Sequence, residues 1–127
     1  MNTVEIEEGQ VAADLMLRDP KTLPAGATVD DVRAQLANPK VQMVLLAEHG
    51  KLRGAVTDLP ATARADEAAL DYADTNPETI GPDTGAFAAF GRAAASPHRR
   101  VIVVDDDGAL LGLLCLNPTR TRFCGTS

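Results

Sequence analysis

The side chains that could support catalysis in this chain are few and widely separated. Neither histidine belongs to a catalytic pattern, since His49 falls in a turn and His98 precedes an apolar run. No nucleophile elbow, zinc-binding His-Glu-x-x-His or phosphate-binding loop occurs in the sequence. The aspartates at 105–107 before Gly108 suggest a calcium loop, but the remaining ligands of an EF-hand are missing and a hairpin turn explains them. The sequence therefore predicts neither an enzyme nor a metal site.

The two cysteines are predicted to be structural. Cys115 lies in an apolar run, where it is expected to be a small core residue, and Cys124 lies in the polar tail. No second cysteine pair stands at ligand spacing, so we expect no metal role and no functional disulfide. This cysteine usage indicates a reducing, cytoplasmic location.

The charge balance argues against a nucleic-acid partner. The net charge is -6, which disfavours binding to a phosphate backbone. Positive charge is concentrated locally in His98, Arg99 and Arg100, and in the tail pair Arg120 and Arg122. No apolar run is long enough to span a bilayer, so we expect no membrane insertion.

The ends of the chain are predicted to be flexible. Residues 1–10 are acidic and lack the charge and apolar pattern of a signal peptide. Residues 121–127 form a polar tail. We expect neither segment to join the packed structure.

The chain repeats itself at an interval of 57 to 58 residues, and this repeat indicates the architecture. Residues 14–23 are echoed by residues 71–80, 57 positions later. Three further residues recur after 58 positions: Gly50, Gly54 and Pro60 return as Gly108, Gly112 and Pro118. A repeat of this length means one supersecondary unit built twice. We place the two copies at 11–66 and 67–120.

The first repeat is predicted to contain helices, a short extended piece and a hairpin. The predicted elements are a helix at 11–17, an extended piece at 21–23, a helix at 29–36 and a hairpin of strands at 41–47 and 52–57. Thr28, with Asp31 three residues later, forms a near capping box for the second helix. Pro60 suits a first helical position, so we expect a further helix over residues 61–73.

The second repeat is predicted to follow the same order. Asp83 is expected to cap a helix over 84–95, whose glycines and alanines make it dependent on close packing. Residues 101–104 form a strand, and residues 109–116 return after the aspartate turn. Asn117 is expected to cap a final short helix.

This ordered set of motifs resembles a tandem pair of cystathionine β-synthase (CBS) domains, a Bateman module. Asp14-Leu15-Met16 with Asp19-Pro20 is similar to the family's opening segment, and residues 48–57 are close to its hairpin. In the second copy, residues 100–108 resemble the family's strand and turn. The resemblance implies an α/β (α+β) fold of two CBS repeats packed with pseudo-twofold symmetry, and a homodimer.

The resemblance also implies an adenosyl ligand, such as AMP, ADP, ATP or S-adenosylmethionine, in a cleft between the repeats. In the family's pattern a Ser or Thr at the hairpin end contacts phosphate or ribose. An Asp three residues later accepts hydrogen bonds from both ribose hydroxyls. Here the first repeat keeps Thr57 but has Pro60 at the Asp position, and the second repeat has Cys115 and Pro118.

Nine residues are candidates for ligand contact under this resemblance. They are Thr22, Leu23, Thr57, Asp58, Thr79, Ile80, Arg99, Arg100 and Asn117. The pairs at 22–23 and 79–80 lie where the family's backbone commonly binds adenine. Each side chain also has a structural interpretation: Asp58 and Asn117 as helix caps, Thr57 as a strand-end residue capping the next helix, and the arginines as a solvated rim.

Two functions are compatible with the sequence. One is a non-enzymatic regulatory protein that senses an adenosyl ligand, which Thr57, Asp58 and the basic cluster favour. The other is a ligand-free dimerisation or partner-binding module, which the two prolines and the small-residue helix favour. In either case we expect the regulated enzyme or transporter to be a separate chain.

Overall fold

The computed structural model describes residues 9–18, 20–39, 41–117, 119 and 123, and these residues form a mixed α/β structure. The predicted fold class is therefore confirmed. Contacts divide the chain into two compact units. Unit 1 comprises Met1–Pro20 and Glu78–Ser127, and unit 2 comprises Lys21–Pro77. The segment before Lys21 thus packs with the second half of the sequence.

The described residues contain seven strands, three α-helices and one 3-10 turn. In chain order they are α1 (Ala12–Leu15), β1 (Leu17–Arg18), β2 (Thr22–Pro24), α2 (Val29–Leu36), β3 (Val44–Glu48), β4 (Lys51–Val56), the 3-10 turn (Ala69–Tyr72), β5 (Thr79–Ile80), α3 (Ala86–Ala95), β6 (Arg100–Val104) and β7 (Leu110–Cys115).

Unit 2 is built on a three-stranded sheet in the order β2-β3-β4. Strand β2 runs parallel to β3, and β3 pairs with β4 in an antiparallel hairpin. The hairpin turn has His49 at φ 54° and Gly50 at φ 78°. Two consecutive positive φ values are typical of the turns that match the twist of a hairpin. The predicted first hairpin is confirmed.

Helix α2 covers this sheet and begins where the sequence predicts. The Thr28 hydroxyl accepts a hydrogen bond from the Asp31 N–H at 3.3 Å, and the Asp31 carboxylate accepts one from the Thr28 N–H at 3.0 Å. This reciprocal pair satisfies two donors that a helix start would leave unpaired. Val32 is fully buried against the apolar side chains of the sheet, among them Leu46 and Val56.

The prediction of a helix over 61–73 is wrong. Residues 57–68 form loops and turns, followed by the single 3-10 turn at Ala69–Tyr72. The Arg33 guanidinium holds this loop, donating from Nη2 to the carbonyl of Ala63 at 2.6 Å and that of Pro60 at 3.4 Å. The loop lacks the continuous apolar stripe from which a helix gains most of its stability.

Unit 1 is built on a four-stranded sheet in the order β1-β7-β6-β5. The edge strand β1 approaches β7 so closely that a Cβ on Gly112 would lie 2.5 Å from the Met16 sulfur and 2.7 Å from the Leu17 carbonyl oxygen. Because residues 17–18 form β1 and join this sheet, the first helix is shorter than predicted.

Helix α3 begins later than the sequence predicts, and Asp83 is not its cap. Gly85 occupies the N-cap position without a side-chain hydrogen bond, and the Ala86 N–H donates to the Gln10 carbonyl at 2.9 Å. Backbone from a distant segment thus replaces the expected carboxylate. Ala89 and Ala93 are fully buried on the inner face of the helix.

Cys115 is buried as predicted, with 5% of its surface exposed. It also takes part in a disulfide bond, contrary to the expectation that its role would be that of a core residue without a disulfide. The predicted final helix after Asn117 and most residues of the two predicted flexible termini lie outside the described residues. The expectation that neither terminus joins the packed structure is wrong at Gln10, whose carbonyl accepts from the Ala86 N–H, and at Phe123, which is 8% exposed in the core of unit 1.

Candidate functional site

In each unit, the candidate residues lie at the sheet end where the two parallel strands begin. In unit 2, Thr22 pairs with Leu45 at the start of β2 and β3. Strand β4 ends at the same end of the sheet, because its last residue, Val56, pairs with Val44, the first residue of β3. Thr57 follows directly after β4 and therefore lies at this end as well. The fold therefore brings the 22–23 pair and Thr57 to one end of the unit 2 sheet.

A shallow depression opens at this end, and we call it the unit 2 depression. Its lining residues are Lys21, Thr22, Leu23, Gln35, Val41, Met43 and Val44. It contains about 180 Å³ of space, part of it open to solvent. The space that the centre of a water-sized sphere can occupy there is about 10 Å³, which is room for roughly one water molecule. A planar ring could therefore enter the depression only if the side chains that line it moved apart.

The wall formed by β2 can offer hydrogen bonds from its backbone. Strand β2 is an edge strand, because β3 is its neighbour on one side and no other strand of the sheet lies on the other. An edge strand presents N–H and C=O groups that the ladder does not use. Thr22 is exposed and Leu23 is half-buried, so this edge combines polar backbone with an apolar side chain.

Thr57 and Asp58 do not cap a helix, contrary to the prediction, because residues 57–60 precede turns and not a helix. Thr57 is half-buried and Asp58 is exposed. Among the described residues, neither side chain has a hydrogen-bond partner. The short bond from Arg33 to the Ala63 carbonyl, at 2.6 Å, holds the loop that follows them. Two polar side chains are thus available to solvent beside the unit 2 depression.

The candidates of unit 1 occupy the corresponding sheet end. Thr79 is half-buried at the start of β5, and Ile80, buried in the same strand, pairs with Val103. Arg100 begins β6 opposite Cys115, and Asn117 follows β7 as a half-buried residue.

The two arginines of unit 1 are half-buried and bind backbone carbonyls. Arg99 adopts φ 59°, a region that few residues other than glycine occupy. Its Nε donates to the Leu116 carbonyl at 3.2 Å, and its own carbonyl accepts from the Leu116 N–H at 2.9 Å. Arg100 donates to the His98 carbonyl at 2.9 Å. Burial lowers the pKa of the Arg100 guanidinium, and the neighbouring charge of Arg99 adds to this.

One pair of residues at this end was not identified from the sequence. Glu78 and Arg92 form an ion pair in which Nε and Nη2 of Arg92 both point to one carboxylate oxygen. These residues lie 57 positions after Lys21 and Gln35, two lining residues of the unit 2 depression. The repeat interval could have matched them, but only the fold shows that the helix residue reaches the strand entrance.

The CBS domain family model matches this chain twice, at residues 11–59 and 68–117. The chain therefore belongs to the CBS domain family, and it carries a tandem pair of these domains. No curated protein shows significant sequence similarity to it.

Solved structures of CBS-pair proteins are similar to the chain. The CBS-pair protein CBSX2 from Arabidopsis thaliana has a TM-score of 0.73 at 23% identity, covering 84% of this chain and 89% of that one. A CBS domain protein from Pyrobaculum aerophilum, complexed with AMP, has a TM-score of 0.69 at 24% identity, covering 83% and 86%.

A third similar structure is the CBS-pair domain of a putative Mg²⁺ transporter from Shewanella oneidensis MR-1. Its TM-score is 0.74 at 16% identity, with coverage of 86% of this chain and 67% of that one. Identities this low establish a shared fold and nothing finer. Within the part of this chain that the structure describes, no helix has the length and apolar character to cross a membrane.

Proposed function

We propose that this CBS-pair protein is a non-enzymatic regulator that binds an adenosyl ligand at the unit 2 depression. The observation that carries the proposal is that the 22–23 pair lines the depression and that Val44, another lining residue, pairs with Val56, the residue before Thr57. The ligand class is AMP, ADP, ATP or S-adenosylmethionine, and the similar protein from Pyrobaculum aerophilum is complexed with AMP.

Each wall of the depression suits one part of such a ligand. The free edge of β2 can exchange hydrogen bonds with the edge of an adenine ring, which needs both donors and acceptors. Leu23, Val41 and Met43 supply the apolar surface for the ring faces. Thr57 can bind ribose or phosphate, and the Lys21 ammonium adds positive charge for an anion.

The proline at position 60 predicts weak binding. A carboxylate that accepts hydrogen bonds from ribose would contribute about 1.5–3 kcal/mol per bond, and proline supplies none. Losing one such bond weakens affinity by roughly 10- to 100-fold. Asp58, exposed two residues before Pro60, is the remaining carboxylate in this segment.

The residues around the depression do not favour catalysis. A nucleophile needs a base within hydrogen-bond reach, and the lining residues of the depression include no histidine, carboxylate or thiol. The proposal is therefore binding without chemical conversion, with the bound ligand acting on a separate partner.

A ligand-free dimerisation or partner-binding module is the second candidate. One observation favours it: among the described residues, Phe87 on α3, at 66% exposure, is the one large apolar side chain that is exposed. Gly91 follows one turn later on the same helix and is also exposed. A partner helix could pack closely against such a face.

Thermal unfolding with each ligand separates the two functions. A ligand at about a hundred times its Kd should stabilise the protein by about 2.7 kcal/mol. We expect a dose-dependent rise in Tm that Thr57→Ala reduces, while Thr84→Ala, an equally half-buried threonine in unit 1, leaves it intact. No rise with any of the four ligands would refute the adenosyl proposal. A monomer by light scattering at high concentration would refute the dimerisation alternative.

A further inference from the structure

The two units differ at matched positions beside their candidate sites. The repeat interval of 57 residues relates Lys21 to Glu78 and Gln35 to Arg92. Lys21 and Gln35 line the unit 2 depression, and neither side chain forms a hydrogen bond or ion pair with another described residue. Glu78 and Arg92 instead bind each other in unit 1. The same two places are thus unpaired in one unit and joined in the other.

The ion pair connects the two elements that line the depression in unit 2. Arg92 lies on α3, the counterpart of α2, and Glu78 immediately precedes β5, the counterpart of β2. Two guanidinium nitrogens converge on one carboxylate oxygen, so the pair bridges from helix to strand entrance. The pair thus joins the two positions in unit 1 that correspond to Lys21 and Gln35 of the unit 2 depression.

We propose that the Glu78–Arg92 ion pair closes the unit 1 counterpart of the depression, so that each chain binds a single adenosyl ligand, in unit 2. This inference rests on the proposed function and specifies its stoichiometry. The Glu78 carboxylate competes with an incoming phosphate for Arg92 and repels the phosphate directly. Both side chains of the pair are about half exposed, with 49% and 52% of their surface accessible.

The closure should be reversible by substitution, because an exposed ion pair contributes about 0–1 kcal/mol and is not needed for folding. An opened unit 1 should bind more weakly than unit 2. The position of Thr57 is taken there by Cys115, which is buried and disulfide-bonded and offers no hydroxyl.

Exchanging the two residue pairs between the units tests the proposal. Isothermal titration calorimetry with AMP measures the number of AMP molecules that each variant binds per chain. The wild-type chain should bind one AMP. Glu78→Lys with Arg92→Gln copies the unit 2 residues into unit 1 and should add a second, weaker site. Lys21→Glu with Gln35→Arg copies the ion pair into unit 2 and should abolish the first site.

A matched control separates closure from a general loss of charge pairing. Glu48→Lys with Arg53→Gln disrupts an ion pair of similar exposure on the unit 2 hairpin and should leave the stoichiometry at one. Arg92→Ala alone provides a milder opening variant if the double exchange does not fold. Circular dichroism establishes that each variant is folded.

The outcomes distinguish this inference from the proposed function. Two sites in the wild type, or one site in both the wild type and the folded opened variants, would overturn the closure. No AMP binding by the wild type would overturn the unit 2 site. In that case a new site in the opened variants would still support the closure, and continued absence of binding would overturn it.

Discussion

Arg33 holds the loop that replaces the expected helix, and its loss should destabilise unit 2 measurably. The substitution Arg33→Met removes the guanidinium but keeps an unbranched apolar stem of similar reach. The loop would then lose the donor that reaches the carbonyl oxygens of Pro60 and Ala63, 27 and 30 residues along the chain.

The expected cost follows from the geometry of these two bonds. The bond to Ala63 is short, at 2.6 Å, and hydrogen bonds to charged groups contribute about 1.5–3 kcal/mol. The bond to Pro60, at 3.4 Å, lies beyond the usual range and should add little. Ala63 is 5% exposed, so water cannot readily replace the lost donor. We expect the free energy of unfolding to fall by about 2 kcal/mol.

Urea denaturation and thermal melts measure this loss, with Arg53→Met as the matched control. Arg53 pairs with Glu48 at 3.0 Å, but both side chains are about half exposed, so the control should cost less than about 1 kcal/mol. For Arg33→Met the Tm should fall by roughly 6–10 °C. Trypsin cleavage at Arg64, an exposed residue in the same loop, should become faster.

The prediction fails if Arg33→Met and Arg53→Met have the same stability within about 0.5 kcal/mol, the usual range for surface substitutions. Equal rates of cleavage at Arg64 would contradict it independently. Either result would mean that the loop keeps its conformation without the guanidinium.

Two further predictions concern packing and pH. Gly112→Ala forces a Cβ against the β1 backbone and should destabilise the protein by about 1–3 kcal/mol. A Cβ at Gly91 would meet no atom within 4 Å, so Gly91→Ala should stabilise helix α3 by up to about 1 kcal/mol. Urea denaturation of both variants tests the two expectations. Hydrogen bonds from the Arg64 N–H and then the Tyr72 hydroxyl lower the pKa of Glu67 from its ordinary 4.5. Its contribution to stability should be complete above that pH and disappear as the pH falls through the lowered pKa, so Glu67→Gln should flatten the acid side of the stability–pH profile. An unchanged acid side in the variant would contradict the assignment.

The features that the sequence predicted correctly depend on neighbouring residues. The capping box needs only Thr28 and Asp31, three positions apart, and helix α2 begins where they place it. The hairpin turns need a glycine that tolerates positive φ, which Gly50 and Gly108 supply at φ 78° and 85°. Because these interactions are local, the order of helix, hairpin and repeat could be derived before any contact was known.

Two of the wrong predictions involve contacts between distant segments. The helix expected over 61–73 gives way to a loop held by Arg33, and the start of α3 is set by the Gln10 carbonyl. The candidate site likewise combines residues that could be predicted from the sequence with one that only the fold reveals. The resemblance to CBS domains indicated the 22–23 pair and Thr57, but the contribution of Gln35 depends on how α2 lies over the sheet.

The two repeats agree where packing is tight and differ where side chains reach solvent. A Cβ on Gly54 would lie 3.0 Å from the Ala73 Cβ, and its counterpart Gly112 faces a still closer approach, so both copies leave little room for a side chain there. Lys21 and its counterpart Glu78 are exposed, so a change of charge there costs little stability. The scaffold therefore constrains the residues that shape both sheets and leaves the sheet ends free to diverge. A single ligand site beside a closed counterpart needs only that freedom, with no change in the fold of either unit.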